Sequence, residues 1–204
     1  MAPHGAMNDT SRLPLFPLNT VLFPEGRLPL RVFETRYMDM VRRCLREDAV
    51  FGVCAIASGR EVGEAAVPRL VGTEARIEQC DMAEAGILEI VTRGERRFRI
   101  VDHEVEQDGL LTATVKWLGE PASLPVPEAQ AELVPLLAGI VAELGERVFR
   151  PHRLDDAGWV GARYSELLPI PIDARQALLE LDDVLSRLEI IQTYLHQHKL
   201  LGED

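Results

Sequence analysis

The sequence is poor in lysine and in aromatic residues, and both shortages exclude classes of function. Lys116 and Lys199 are its two lysines among 204 residues. Neither lies in the Gly-x-x-x-x-Gly-Lys-Ser/Thr pattern that holds nucleotide phosphates, which excludes nucleotide hydrolysis through that motif. Phe, Trp and Tyr make up 5% of the residues. The chain therefore has few rings on which a single-stranded nucleic acid could stack its bases.

Cysteines and long apolar runs are also scarce. The three cysteines, Cys44, Cys54 and Cys80, form no Cys-x-x-Cys pair, which argues against a disulfide framework or a zinc site and for a reducing compartment. The polar N-terminus lacks the apolar core of a signal peptide. The longest apolar stretch, 133–142, is too short for a membrane span, which needs about 20 residues. We expect a cytoplasmic protein that does not enter a membrane.

Acidic residues outnumber basic ones, 33 to 22, for a formal net charge of −11. Such a balance repels a phosphate backbone, so no nucleic acid is expected as a partner. The densest basic run comprises Arg93, Arg96, Arg97 and Arg99. We interpret it as the outward face of a hairpin, where arginines alternate with acids. A nucleic-acid patch is the alternative interpretation.

Composition changes along the chain predict two subdomains behind a leader. Residues 1–12 are polar and are expected to be a disordered leader. Residues 13–120 are β-rich, and 121–204 are helical. The boundary lies in the proline-rich stretch GEPASLPVPEAQ, because prolines disfavour both helix and central strand.

The β-rich part contains several short apolar or alternating runs and one helical interruption. Proline-containing strands come first, and ETRYMDMVRRCLRED then shows helical spacing. ILEIVTRGERRFRIVDHEV predicts a hairpin with its turn at Gly94. The helical part predicts three helices: one from Glu128 to about Phe149 that should be largely buried, one capped by Asp155 or Asp156, and one from Asp173 onward. The predicted class is α+β, a small barrel or folded sheet with one inserted helix followed by a three-helix bundle.

The residues that could take part in catalysis form no recognisable catalytic motif in this sequence. A Gly-x-Ser-x-Gly elbow is absent. His196 and His198 would point apart on a helix, and His103 lacks converging ligands. We therefore expect no catalytic residue, no cofactor and no metal. The open alternative is an enzyme with a dispersed small-molecule site near His103 or His152.

The opening line LPLFPLNTVLFPEGRLPLRVFETRY carries the most specific signal. It resembles the Lon N-terminal domain family, whose members read roughly Pro-Leu-Phe-Pro-Leu, then Val-x-Phe-Pro, then Pro-Leu, then Phe-Glu-x-Arg-Tyr. The matching segments are 14–18, 21–24, 29–30 and 32–37. The likeness continues through Val-Gly-Thr at 71–73 and into the C-terminal helices. DMAEAG at 81–86 departs from the Asp-Gly turn that is common in the family.

The resemblance implies a PUA-like β-barrel followed by a helical bundle, acting as a non-catalytic module that binds unfolded or extended polypeptide. It also implies that this chain of 204 residues is too short to reach the ATPase module or the Ser–Lys protease module of the family. A separate protease or chaperone and a second copy of the chain are further possible partners. Candidate polypeptide contacts are Phe23, Leu28, Arg31 and Glu34, whereas Pro24 and Phe33 are expected to shape the barrel. A nucleic-acid-binding PUA-like protein is the alternative function.

Overall fold

The computed structural model describes residues 10–84, 86–145 and 149–201. These residues form six strands, five α-helices and one 3-10 turn. In chain order the elements are β1 (Thr10–Leu18), β2 (Arg27–Val32), α1 (Thr35–Glu47), β3 (Phe51–Ser58), β4 (Val67–Glu84), β5 (Ile87–Val105), β6 (Leu111–Trp117), the 3-10 turn (Glu128–Gln130), α2 (Leu133–Leu144), α3 (Ala157–Leu167), α4 (Ile172–Glu180) and α5 (Val184–Gln197). No described helix is both long and apolar enough to span a membrane.

The sheet closes into a barrel because one long strand pairs with different neighbours along its length. The strand order is β2-β5-β4-β3-β1-β6, and β5 also pairs with β6. The first part of β5 pairs with β2, and its second part, from Phe98, pairs with β6. Strands β1, β3, β4, β5 and β6 therefore form the ring, and β2 lies outside it. β1 and β3 are parallel, and the remaining pairs are antiparallel.

Alternate residues of β1 build two separate cores. Leu13 and Leu15 pack with Phe98 from β5 and with residues of β3 and β6. Phe16 faces the other side, where its ring stacks on Tyr37 of α1 with centroids 4.0 Å apart. The single inserted helix thus covers one face of the sheet, as its spacing predicts. The resulting barrel with one early helix agrees with the sequence-based expectation.

The predicted turn at Gly94 is wrong, because β5 runs through this residue without a break. The chain reverses earlier instead, next to Gly86, whose φ is +87°. Gly94 is needed for a close approach: a Cβ there would stand 2.1 Å from the carbonyl oxygen of Phe23. The Gly94 N–H donates to the Gly26 carbonyl at 2.8 Å, and the Glu25 N–H donates to the Gly94 carbonyl at 2.7 Å.

The helical part contains four α-helices among the described residues, not the three predicted. The last predicted helix breaks between Glu180 and Val184. Asp183 caps the new helix by accepting a hydrogen bond from the Leu185 N–H at 3.1 Å. Arg187 binds the carbonyl of Leu178, at 3.0 Å, and that of Leu181. The break is therefore stabilised by an N-cap and by an arginine that satisfies freed carbonyls.

Two further boundaries differ from the sequence-based expectation. Thr10, inside the expected leader, already pairs with Lys116; residues 1–9 lie outside the described residues. Helix α2 is shorter than predicted, and only Leu133, Leu137 and Val141 are buried along it. The predicted end of that helix includes residues 146–148, which are also outside the described part. Of the two expected caps, Asp155 and Asp156, it is Asp156 that caps α3, since it accepts a hydrogen bond from the Trp159 N–H at 2.8 Å.

A substitution at Gly94 tests the close approach of the 23–26 loop. Gly94→Ala should lower the free energy of unfolding by about 3 kcal/mol, because the new methyl group meets backbone that cannot move alone. Gly119→Ala is the matched control, since no described heavy atom lies within 4 Å of its added Cβ. Urea unfolding measures both. Equal stabilities for the two variants would contradict the packing of this loop on β5.

Candidate functional site

The family-like segment Val21–Pro24 leads into a tight turn between the barrel and the helices. The Gly26 N–H donates to the Phe23 carbonyl at 3.0 Å. Pro24 takes the second turn position, and Glu25 takes the third with a φ of +62°. Phe23 itself is buried in a cluster with Val71 of β4 and with residues of α3 and α4. The turn therefore joins the two halves of the chain.

A buried ion pair on α3 holds this turn. Arg163 is fully buried, and its Nη2 donates to the Pro24 carbonyl at 2.7 Å. Glu166 Oε1 accepts from the Phe23 N–H at 3.3 Å. Arg163 Nε lies 3.0 Å from Glu166 Oε2, but the two atoms are not aligned for a hydrogen bond. Burial raises the pKa of Glu166 to about 7, although Arg163 acts to lower it, and burial lowers the pKa of Arg163.

A second set of contacts ties α4 to the barrel. Arg97 donates from Nη1 to the Leu179 carbonyl at 2.8 Å and from Nη2 to Asp182 at 2.7 Å. Gln176 Nε2 donates to the Val71 carbonyl at 3.0 Å. Both side chains are buried. The interpretation of Arg97 as an outward-facing arginine is therefore wrong, because its side chain links the barrel to the helices.

Two neighbouring arginines of the basic run, Arg93 and Arg96, lie beside acids. Arg96 contacts Glu74 at 3.0 Å, and its guanidinium lies 3.9 Å from the centroid of the Trp117 ring. Arg93 lies 3.7 Å from Glu25. A patch for phosphates needs cations that are available to neutralise them. The nucleic-acid interpretation of this run gains no support from the geometry.

A cleft of about 760 Å³ opens where the barrel meets the helices, a region that we call the joint. Its volume lies within the range of small-molecule sites. The lining includes apolar Leu118 and Trp159, while its charged walls hold the Arg153–Glu25 and Arg76–Glu95 pairs. A charged ligand group would compete with these intramolecular partners.

The histidines do not assemble an active site in this cleft. His103 is an exposed residue of β5 paired with Ala113. His152 lies in the helical part, with its ring centroid 6.1 Å from that of Trp159, and neither histidine lines the cleft. In the part of the chain that the structure describes, no three His, Cys, Asp or Glu side chains come together as a metal-binding group.

The four candidate contacts from the sequence do not form one surface. Phe23 is buried at the joint, and Glu34 precedes α1 and pairs with Arg36 at 2.9 Å. Leu28 and Arg31 lie on β2. Arg31 is 61% exposed, 3.5 Å from Glu89, and Leu28 is half-buried against the core under α1. Only the two β2 residues among the four therefore lie near an open surface.

Phe33 is an exposed aromatic residue that the sequence reasoning did not select as a candidate contact. It is 53% exposed, whereas the other five phenylalanines, all within the described residues, are at most 7% exposed. The expectation that Phe33 shapes the barrel is therefore wrong. Strand alternation could have found it, because residues 27, 29, 31 and 33 follow the outward face. We name the segment 27–33 the β2 edge.

Comparison with known proteins shows similarity over nearly the whole chain. The family model described as "ATP-dependent protease La (LON) substrate-binding domain" matches residues 12–197. Lon protease 2 of Myxococcus xanthus is 29% identical over 217 residues, covering 98% of this chain and 25% of the relative. Lon protease of Anaeromyxobacter dehalogenans is 25% identical over 202 residues, covering 92% and 23%. The chain thus spans about a quarter of the length of these relatives.

Two solved structures share the fold. The crystal structure of a Lon N-terminal domain protein from Xanthomonas campestris aligns with a TM-score of 0.76 and 38% identity, covering 90% of this chain and 98% of that one. The N-terminal domain of Mycobacterium avium complex Lon protease aligns with a TM-score of 0.67 and 21% identity, covering 92% and 100%. The predicted α+β class, a barrel followed by helices, is confirmed.

The raised pKa of Glu166 makes part of the stability pH-dependent. Between pH 4.5 and about 7 the folded state keeps a proton that the unfolded state has lost, so this part of the stability falls as pH rises through that window. Glu166→Gln cannot titrate and should flatten the slope. Only above about pH 7, where the wild-type carboxyl is ionised, does the variant also deprive Arg163 of a charge partner.

Chemical unfolding across pH 4 to pH 8 measures this slope. Glu189→Gln, at an exposed position of α5, is the matched control and should keep the wild-type slope. An unchanged slope in the Glu166 variant would show that its carboxyl titrates normally.

Proposed function

This chain belongs to the family of Lon substrate-binding domains, and we propose that it binds extended polypeptide without cleaving it. The family match covers residues 12–197 and concerns the substrate-binding part of those proteases. The charged groups in the walls of the cleft between barrel and helices are paired with one another, which agrees with binding at another surface. Binding at a surface and release without covalent change is the proposed activity.

The observation that carries the proposal is the exposed Phe33 ring at the end of β2. Aromatic side chains provide large apolar contact areas and dominate many binding surfaces. Leu28 and Leu30, both half-buried, lie on the same strand. Arg31 with Glu89 supplies a polar rim next to the ring. An apolar side chain of a bound polypeptide could pack on the Phe33 ring. The backbone of that polypeptide would then lie near Arg31 and Glu89.

The strand itself limits how the polypeptide can bind. Within the described residues β2 pairs on one side only, with β5. Pro29 has no N–H to offer, and proline and charged residues are common guards of edge strands. A long added strand is therefore disfavoured. We propose anchoring by side chains at Phe33, with Phe23 and Glu34 acting indirectly, by placing the loops on either side of β2.

The net charge of the chain limits which polypeptides it should bind. The chain carries −11, so acidic segments are repelled at long range and neutral or basic apolar segments are favoured. A separate protease or chaperone would receive the bound segment. The free cysteines fit the proposed cytoplasmic location.

Replacing the exposed ring tests the proposal. Phe33→Ala should weaken binding of a fluorescent, permanently unfolded polypeptide about ten-fold, because an apolar anchor is lost. The melting temperature should stay unchanged, since the side chain is half exposed. Ile190→Ala is the matched control, an apolar residue of α5 with 51% exposure. Fluorescence anisotropy measures the affinities.

Equal binding by wild type and the Phe33 variant would place the contact elsewhere. No binding by wild type at all would overturn the function itself. Turnover of the labelled polypeptide into fragments by the purified chain would contradict the non-catalytic part of the proposal.

A further inference from the structure

The cleft at the joint, which we call the joint cleft, has two buried guanidinium groups in its wall. Arg97 and Arg187 both line it, and both are buried. Arg97 pairs with Asp182, whose side chain is 82% exposed. Arg187 binds backbone carbonyls, and no carboxylate of the described residues lies within salt-bridge distance of it. Burial lowers the pKa of Arg187 to about 10, and the charge of Arg97 adds to this effect. The protein therefore compensates the positive charge of this wall only in part.

The same wall contains N–H donors without an acceptor. Among the described residues, neither Arg97 Nε nor Trp159 Nε1 has a hydrogen-bond partner, although both atoms are buried. Both side chains line the joint cleft. Burying an N–H group without an acceptor is unfavourable, and an oxygen that enters the cleft could accept from either group after a small rotation of the side chain. Positive charge and unused donors together suit an anion that has oxygen acceptors.

The acids of the cleft do not cancel this preference. Glu95 and Glu25 are paired with Arg76 and Arg153, and these four side chains are between 26% and 45% exposed. Asp156 caps α3. The described lining holds six arginines and five acidic residues, in a chain where acids outnumber bases 33 to 22. The paired acids therefore lie near the mouth of the cleft, and an anion is repelled less inside it than over most of the protein surface.

Apolar side chains complete the wall around the buried arginines. Phe23 and Leu118 come from the barrel side, and Ala162 and Leu179 come from the helices. Inorganic phosphate would meet the guanidinium groups but would leave this apolar surface without a contact. An organic anion uses both parts of the wall, and a cleft of about 760 Å³ has room for a small molecule.

We propose that the joint cleft binds a small organic carboxylate with an apolar body. Its carboxylate lies toward Arg97 and Trp159, and its body packs against Leu118 and Leu179. Such a ligand contacts the barrel and the helices at once, so its binding stabilises the folded chain and holds the joint together. The proposal does not depend on polypeptide binding at the β2 edge, because Phe33 does not line the cleft.

Phenylacetate tests the proposal because it combines one carboxylate with one apolar ring. Nitrogen–proton correlation NMR follows the indole N–H signals of Trp159 and Trp117 during a titration. The Trp159 signal should shift with a Kd on the order of 1 mM, as expected for so small a ligand. Trp117 is the internal control, since its Nε1 donates to Ser11 at 3.2 Å and it does not line the cleft. Phenylacetamide, which lacks the charge, and acetate, which lacks the ring, should bind at least about ten-fold more weakly.

Gly119 permits a matched pair of variants in the cleft wall. It lines the cleft, and no described heavy atom lies within 4 Å of the position that a Cβ would take. Gly119→Glu should weaken phenylacetate binding about ten-fold through charge repulsion, whereas Gly119→Gln, of the same size, should stay within about two-fold of wild type. Phe33→Ala should leave this affinity unchanged, which separates the carboxylate site from the polypeptide site.

Three results would overturn the proposal. The first is a Trp159 signal that phenylacetate does not move. The second is equal weakening by Gly119→Glu and Gly119→Gln, which would exclude recognition of charge. The third is inorganic phosphate or phenylacetamide binding as tightly as phenylacetate, which would exclude a ligand that needs both a carboxylate and an apolar body.

Discussion

The contact between Arg163 and the Pro24 carbonyl organises much of this molecule. A fully buried guanidinium on α3 reaches across 139 residues of sequence to one peptide carbonyl, 2.7 Å away. It requires Glu166 beside it to balance its charge, and Glu166 in turn receives the Phe23 N–H. Removing a single partner from such a set leaves a buried charge without compensation. The barrel and the helices are therefore joined by a polar centre as well as by apolar packing.

The same turn explains why the family-like line looks as it does. Phe23 fills the shared apolar cluster, Pro24 sets the turn, and Gly26 leaves room for Glu166, whose Oε1 would lie 1.8 Å from an added Cβ. The packing of this turn between the barrel and the helices requires these residue types. The proposed polypeptide-binding surface begins several residues later, at Arg31 and Phe33. The family-like line thus contains both residues that hold the fold together and Phe33 of the candidate site.

Local patterns predicted the element types well and their connections less well. Alternation identified the strands, helical spacing identified α1, and Asp156 was one of the two residues expected to cap α3. Gly94 was mistaken for a turn because the sequence does not show that the 23–26 loop lies on it. Arg97 was interpreted as a surface residue because its partners, Leu179 on α4 and Asp182 just after that helix, are 82 and 85 residues away. Burial of charged residues depends on such distant partners, which periodicity cannot reveal.

Strand β1 has a consequence for synthesis of the chain. It pairs with β3 and also with β6, where Thr10 meets Lys116. A ribosome must therefore release the chain beyond Trp117 before the ring can close, and beyond Glu166 before the Pro24 turn is held. Until then the apolar side of β1 lacks its final partners. The chain loses entropy when it closes long loops, and it does so before the stabilising contacts have formed. Folding should therefore be late and should depend on helices made after the barrel.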